Sequence, residues 1–289
     1  MRTVSDHKLW LKMHQHAHER RVPLRVLFEL TYKCNFNCRH CYVPKAWRLK
    51  KDLNTSQTLD IIRQLRDSGC FYLGFTGGEI FTRPDIYKIL EFSRKQGMQV
   101  IIYTNGSLID KPAAERIAGI GVNKVDITLP AMSPAVFEAV TAARGSHKAV
   151  FAAIKHLRKY KVALGFKTCL VKANQNEIDA IKSFCAGLGC PHRFDSSTSP
   201  RIDQLTRKRA RPSMGFECGA TIAQCAITPQ AEVKLCPLVA WPRIKISAKQ
   251  SFSRIWERLP QMLKDGECRV ACPCGLGLEG EQDALCDKI

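Results

Sequence analysis

Apolar runs rich in Val, Ile, Leu and Phe alternate, over the first two thirds of the chain, with longer stretches in which apolar residues recur every three or four positions. The runs have the length of buried strands and the stretches have the period of amphipathic helices, so the pattern predicts repeated βα units built on a parallel sheet. Strands are expected at about Val26 to Thr31, Phe71 to Thr76, Gln99 to Thr104, Lys124 to Leu129, Ala163 to Val171 and His192 to Asp195. Helices are expected at Thr58 to Ser68, Pro84 to Gln96, Pro112 to Ala118, Lys148 to Tyr160 and Gln175 to Leu188. Pro84 and Pro112 fall in first helical turns, where a missing N–H is tolerated.

Six such units take up roughly 170 residues, whereas a closed eight-unit barrel takes about 250. The expected fold class is therefore α/β, a partial, laterally open (β/α)6 TIM-like barrel over residues 23–195, with its chemistry at the C-terminal ends of the strands. Residues 1–22 read as an N-terminal helical segment. Residues 196–216 turn polar, basic and proline-containing, which marks a linker. Residues 217–289 form a small cysteine-rich appendage.

With 289 residues and 45% hydrophobic content the chain can fill a sizeable core. No run approaches the roughly 18 apolar residues of a membrane span, and the N-terminus lacks a signal-peptide apolar core, so a globular cytoplasmic protein is expected. The formal charge of +19 favours encounter with anionic partners. The one dense basic run, Arg207-Lys208-Arg209 with Arg211, has no interleaved aromatics and reads as a solvated linker, which argues against nucleic acid as the partner. His14 and His18 lie one helical turn apart and read as a solvated helix face rather than a metal pair.

Fourteen cysteines in a long chain without a secretion signal point to metal ligation rather than a disulfide scaffold. Cys70, Cys169, Cys185 and Cys190 fall in or beside apolar segments and read as small buried hydrophobes. Cys34, Cys38 and Cys41 instead form a C-x3-C-x2-C loop directly after the first strand, in VLFELTYKCNFNCRHCY. Three thiolates can hold three corners of a 4Fe-4S cubane and leave the fourth iron open to another ligand. A structural zinc site is the competing reading, and it would need a fourth ligand such as His40. After the second strand comes FTGGE, with Gly77, Gly78 and Glu79; the third strand ends in YTNG, with Asn105. Side-chain-free glycines allow close backbone approach to a ligand.

These motifs together resemble the radical S-adenosylmethionine (SAM) superfamily. The resemblance implies that the open iron chelates SAM, that one electron cleaves it to a 5'-deoxyadenosyl radical, and that this radical takes a hydrogen from the substrate. It also implies cofactor contacts at His40, Gly77, Gly78, Glu79, Asn105, Thr128 and Lys167, with strand register deciding whether Lys167 or Thr168 faces inward. The segment CGATIAQCAITPQAEVKLCPLV resembles the opening of the SPASM or twitch extension. That likeness implies one or two auxiliary iron-sulfur clusters on Cys218, Cys225, Cys236, Cys268, Cys272, Cys274 and Cys286. Ala231 stands where that pattern has a turn glycine, and the second cysteine group is irregularly spaced. Tetrahedral zinc is the alternative for these thiols.

Segments such as GSHKAVFAAIKHLRKYKVALGFKTCLVKANQNE are similar to peptide maturases. The implied function is modification of a ribosomally made peptide or protein, with a flavodoxin- or ferredoxin-type electron donor and a separate leader-peptide-binding protein as partners. Pro237 after Cys236 departs from the aspartate that sulfatase-maturing relatives carry there. Two alternatives stay open: a radical SAM enzyme acting on a tetrapyrrole or other cofactor precursor, and a non-enzymatic iron-sulfur carrier or zinc-stabilised nucleic-acid-binding protein.

Overall fold

The computed structural model describes residues 3–38, 40–195, 223–237 and 243–264. Helix α1 (Thr3–Arg20) leads into β1 (Arg25–Thr31), and there follow α2 (Thr55–Asp67), β2 (Tyr72–Gly77), α3 (Ile86–Lys95), β3 (Gln99–Thr104), α4 (Lys111–Ile120) and β4 (Lys124–Thr128). Two helices, α5 (Pro134–Thr141) and α6 (Ser146–Lys159), precede β5 (Leu164–Cys169), after which come α7 (Ile178–Gly187) and β6 (His192–Asp195). Strands β1 to β6 pair in parallel in sequence order, as the alternating pattern predicts.

The two faces of this sheet differ in character. Val26, Phe28 and Leu30 of β1, Leu73 and Phe75 of β2, and Val100 and Ile102 of β3 are buried in one core with Ile62 and Leu65 of α2, Leu90 of α3 and Ile117 of α4. The intervening positions, among them Glu29, Tyr103, Asp126 and Lys167, therefore share the inner face around which the sheet curls. Local chemistry starts the helices. Asn54 and Gln57 form a reciprocal capping box on α2, and Asp110 accepts from Ala113 N to cap α4, which ends on left-handed Gly121. Helix α5 lies where the hydrophobic pattern predicts none, and β5 stops at Cys169 because the chain then enters a 3-10 turn, Lys172–Glu177.

The chain returns to the sheet at β7 (Gln224–Ile227), which pairs in parallel with β1 on the side away from β2; β8 (Glu232–Lys234) and β9 (Ile244–Lys245) follow as an antiparallel extension. Ala231 takes the left-handed conformation, φ 61°, at the turn before β8, the position where a glycine would be unstrained. Helix α8 (Phe252–Lys264) buries Phe252, Ile255, Trp256 and Leu259; Phe252 N donates to the Gln64 side chain of α2 at 2.9 Å, and the Trp256 indole N–H donates to the Arg21 carbonyl. The described part of the C-terminal region thus shares one sheet and one core with the barrel. The expected linker, residues 196–216, with its basic run at 207–211, lies outside the described residues. No helix among the described residues is long and apolar enough to cross a membrane.

Candidate active site

Strand β1 delivers the cysteine loop to the C-terminal end of the sheet. Cys34, Cys38 and Cys41 are half-buried there as free thiols. Polar donors reach the sulfurs of Cys34 and Cys41: Phe36 N lies 3.4 Å from Cys34 Sγ, Asn105 Nδ2 lies 3.9 Å from the same sulfur, and Arg48 Nη2 lies 3.7 Å from Cys41 Sγ. Arg48 also donates from Nη1 to Phe36 O at 2.9 Å, and Asn105 Nδ2 donates to Asn35 Oδ1 at 2.9 Å. Burial pushes the Cys34 thiol up and the Cys38 thiol up to about 12, the neighbouring sulfurs of Cys34, Cys41 and Cys169 adding to the latter. Thiols held neutral by burial are released to the thiolate when iron supplies positive charge, and donors such as Arg48 and Asn105 then stabilise the sulfurs. Among the described residues no three His, Cys, Asp or Glu side chains converge as a single metal ion requires.

The FTGGE segment fits against this loop by backbone contact. Gly78 N donates to Thr31 O and Glu79 N to Lys33 O, both at 2.8 Å, so a Cβ on Gly77 or Gly78 would collide with the Thr31 or Lys33 carbonyl. Gly77 also has φ 132°. The glycines are therefore required by the approach of two loops to each other. Glu79 is fully buried; its carboxylate accepts from Phe81 N at 3.1 Å and from Thr104 Oγ1 and Asn105 N at 2.8 Å. Burial raises its pKa while these hydrogen bonds oppose the rise. The carboxylate shapes the junction of β2 and β3 and aims Asn105 at Cys34.

Strand register settles which residue of β5 faces inward. Thr128 pairs with Lys167, both half-buried on the inner face, while Thr168 is buried behind the sheet and donates to Leu129 O at 2.7 Å. His40 completes this mouth. Burial first, and the Lys167 charge second, lower its pKa and keep the ring neutral. Its Nδ1 is sealed from solvent with no hydrogen-bond partner, the mark of a polar edge that a ligand would satisfy. Cysteines, glycine loop, Asn105, Thr128, Lys167 and His40 are thus linked through direct contacts, strand register or charge at one end of the sheet, and this donor set fits a three-thiolate cluster with SAM beside it.

Other cysteines separate by environment. Cys70, Cys169 and Cys185 are buried, as expected, and Cys190 is half-buried. Cys225 sits on β7 within the apolar core, where burial, with Cys70 beside it, pushes its thiol up; it has the surroundings of a packing residue. Cys236 remains half-buried just beyond β8. Cys218, Cys268, Cys272, Cys274 and Cys286 lie outside the described residues. Two features escape sequence reasoning altogether. Arg48 reaches Cys41 from the 3-10 turn Lys45–Leu49, and Glu29, fully buried below the loop, accepts from the hydroxyls of Tyr32 and Tyr42 at 3.0 Å each.

Comparison with known proteins accords with this geometry. The mycofactocin maturase MftC of Mycobacterium ulcerans is 25% identical over 306 aligned positions covering 90% of this chain and 82% of that protein. An AdoMet-dependent heme synthase of Methanosarcina barkeri is 27% identical but covers 58% of this chain and 48% of its own length. Among solved structures, Streptococcus suis SuiB bound to its precursor peptide SuiA superposes with TM-score 0.66 at 15% identity, over 85% of this chain and 68% of SuiB. The enzyme anSMEcpe with bound AdoMet gives 0.64 at 14% identity, over 81% and 77%. Residues 28–185, the span from β1 to α7 that carries the cysteine loop, the glycine loop and Lys167, match the family model of the radical SAM superfamily, and this chain belongs to that superfamily.

Proposed function

We propose that the chain is a peptide maturase: it holds a 4Fe-4S cluster on Cys34, Cys38 and Cys41, binds SAM beside it, and modifies a ribosomally made peptide by hydrogen abstraction. The observation that carries this reading is the extent of the likeness to MftC, which runs through barrel and C-terminal region alike, whereas the likeness to the heme synthase stops near half of each chain. When bound, cluster and SAM supply the radical; the protein's own residues supply position. Asn105 and Arg48 hold the sulfurs, the Gly77-Gly78 backbone and the neutral His40 ring present polar edges to SAM, and Thr128 and Lys167 face it from the inner wall. Among the described residues the outer edge of β6 pairs with no further strand, and an extended peptide would enter along that edge. Cys236 with Cys218, Cys268, Cys272, Cys274 and Cys286 would hold auxiliary iron-sulfur ligation, while Cys225 packs the core. The net charge of +19 suits an acidic flavodoxin- or ferredoxin-type donor.

Anaerobic reconstitution, reduction and addition of SAM should yield 5'-deoxyadenosine. The Cys34→Ala/Cys38→Ala/Cys41→Ala variant should lose this product entirely while keeping any iron bound by the C-terminal cysteines. Retained cleavage in that variant would remove the assignment. Mass spectrometry of a peptide encoded beside the gene, against an iron porphyrin precursor, separates the maturase from a tetrapyrrole enzyme.

A further inference from the structure

A buried polar network joins the cysteine loop to the C-terminal hairpin. Glu29 is inaccessible to solvent on the inner face of β1. Its two oxygens accept one hydroxyl each from Tyr32, two residues before Cys34, and Tyr42, the residue after Cys41. Both ends of the loop are thereby pinned to one carboxylate. The ammonium of Lys234, equally inaccessible on β8, lies 3.9 Å from Glu29 Oε2 and donates to Pro237 O at 2.8 Å, the carbonyl next to Cys236. The same hairpin reaches the turn that carries Arg48: the Arg243 guanidinium lies over the Trp47 ring at 4.2 Å and pairs with Glu232 at 3.2 Å, and Trp47 packs on Tyr32 with ring centroids 5.4 Å apart. A buried ion pair is a poor way to gain stability, since apolar side chains of similar volume often do as well or better, and such pairs are best attested where they fix one arrangement against others. Here the arrangement fixed is that of the three cysteines relative to the hairpin.

We propose that Glu29 is a positioning residue for the SAM-cluster loop and that Lys234 makes the loop's geometry depend on the hairpin bearing Cys236. The C-terminal region then tunes the radical-generating site through a buried contact at its edge. The inference rests on assigning the cluster to Cys34, Cys38 and Cys41, and its test is arranged so that the two can fail separately.

The experiment compares the full-length wild type with Lys234→Met, Glu29→Gln, the double variant and Tyr42→Phe after anaerobic reconstitution. The readouts are iron content, the SAM-induced change in the electron paramagnetic resonance spectrum of the reduced protein, and the rate of 5'-deoxyadenosine formation. Subtracting the spectrum of the triple cysteine-to-alanine variant isolates the signal of the loop cluster. If that variant keeps the SAM-induced change, the cluster assignment fails and the coupling fails with it. With the assignment intact, Lys234→Met, a change in the hairpin alone, should alter the loop cluster's SAM-induced spectrum, and Glu29→Gln should alter it in the same sense. Cleavage should fall about tenfold to a hundredfold, the effect of sub-ångström to ångström misplacement. The double variant should be no worse than Glu29→Gln, because the two residues act as one unit. A wild-type spectrum and rate in Lys234→Met, or additive effects in the double, would overturn the coupling. Should the single variants fail to bind iron, the double, which leaves no unpaired buried charge, carries the same comparison. Should it also fail, Tyr42→Phe, which leaves the ion pair whole, decides: an unchanged signal and rate overturn the positioning role, and a changed one supports it.

Discussion

Arg48 shows what a single side chain adds to a motif. The cysteine spacing is visible in the sequence because iron ligation demands three thiols on one short loop, but nothing in KAWRLK marks an arginine that folds back on Cys41. Its contact depends on a 3-10 turn and on the carbonyl of Phe36. Charge and hydrogen bonds at the sulfurs are among the terms that set a cluster's potential. Arg48→Gln should therefore shift the midpoint potential of the loop cluster negative, and Arg48→Lys, which keeps the charge without the planar fork, should recover part of the shift. Redox titration followed by electron paramagnetic resonance measures this; an unchanged potential in Arg48→Gln would mean that the guanidinium only braces the loop. Glu79 illustrates the opposite case. Its motif is legible, yet its role as the acceptor that joins β2 to β3 becomes visible only when Thr104 and Asn105 are seen donating to it.

At the level of elements, strands and helices with strong periodicity lie close to where the sequence puts them, and the exceptions are short. Helix α5 has only eight residues and begins at Pro134, a length at which helix formation depends on its termini and on packing rather than on pattern. Its start is held from a distance. Glu177, at the end of the 3-10 turn before α7, accepts from Met132 N at 2.9 Å, from Ser133 N at 3.1 Å and from the Ser133 hydroxyl. A partner 44 residues away in the chain leaves no local signature, so sequence alone does not reveal this cap. The Ser133 hydroxyl first, and then the two N–H groups, hold the Glu177 carboxyl below its usual value against the opposing effect of burial. Because the folded pKa is the depressed one, this stabilisation is fully present above the ordinary glutamate value and is lost as the pH falls through the depressed value. Glu177→Gln should cost about 1 kcal/mol at neutral pH, solvent screening keeping it near that size. The difference from wild type should shrink on acidification; a gap in denaturant midpoint that stays constant from pH 7 to pH 3 would refute the carboxylate cap.

For the whole molecule, the sequence divides the chain into a barrel and a cysteine-rich appendage, and the parallel barrel units are legible because their strands are long buried runs. The join between the two parts is not, because β7, β8 and β9 have only four, three and two residues and the pairing of β7 with β1 bridges nearly 200 positions of sequence. Strand β1, which leads directly into the cysteine loop, is thereby an interior strand, flanked by β2 on one side and β7 on the other. Ile227 of β7, Val233 of β8 and Phe252, Ile255 and Leu259 of α8 close the same core that lies under the barrel. A chain ending at residue 195 would expose the hydrogen-bonding edge of β1 together with these partners' apolar footprint, and an uncovered apolar edge strand invites aggregation. The full chain should therefore unfold in one transition over barrel and hairpin, while the 1–195 fragment should aggregate or melt far below it. Calorimetry of the two, with analytical sedimentation of the fragment, tests this. A monomeric fragment with an unchanged melting temperature would show that the barrel is complete without the hairpin. That result would also leave Lys234 without leverage on the cysteine loop, since a hairpin that contributes nothing to β1 could not hold Glu29 in place beneath it.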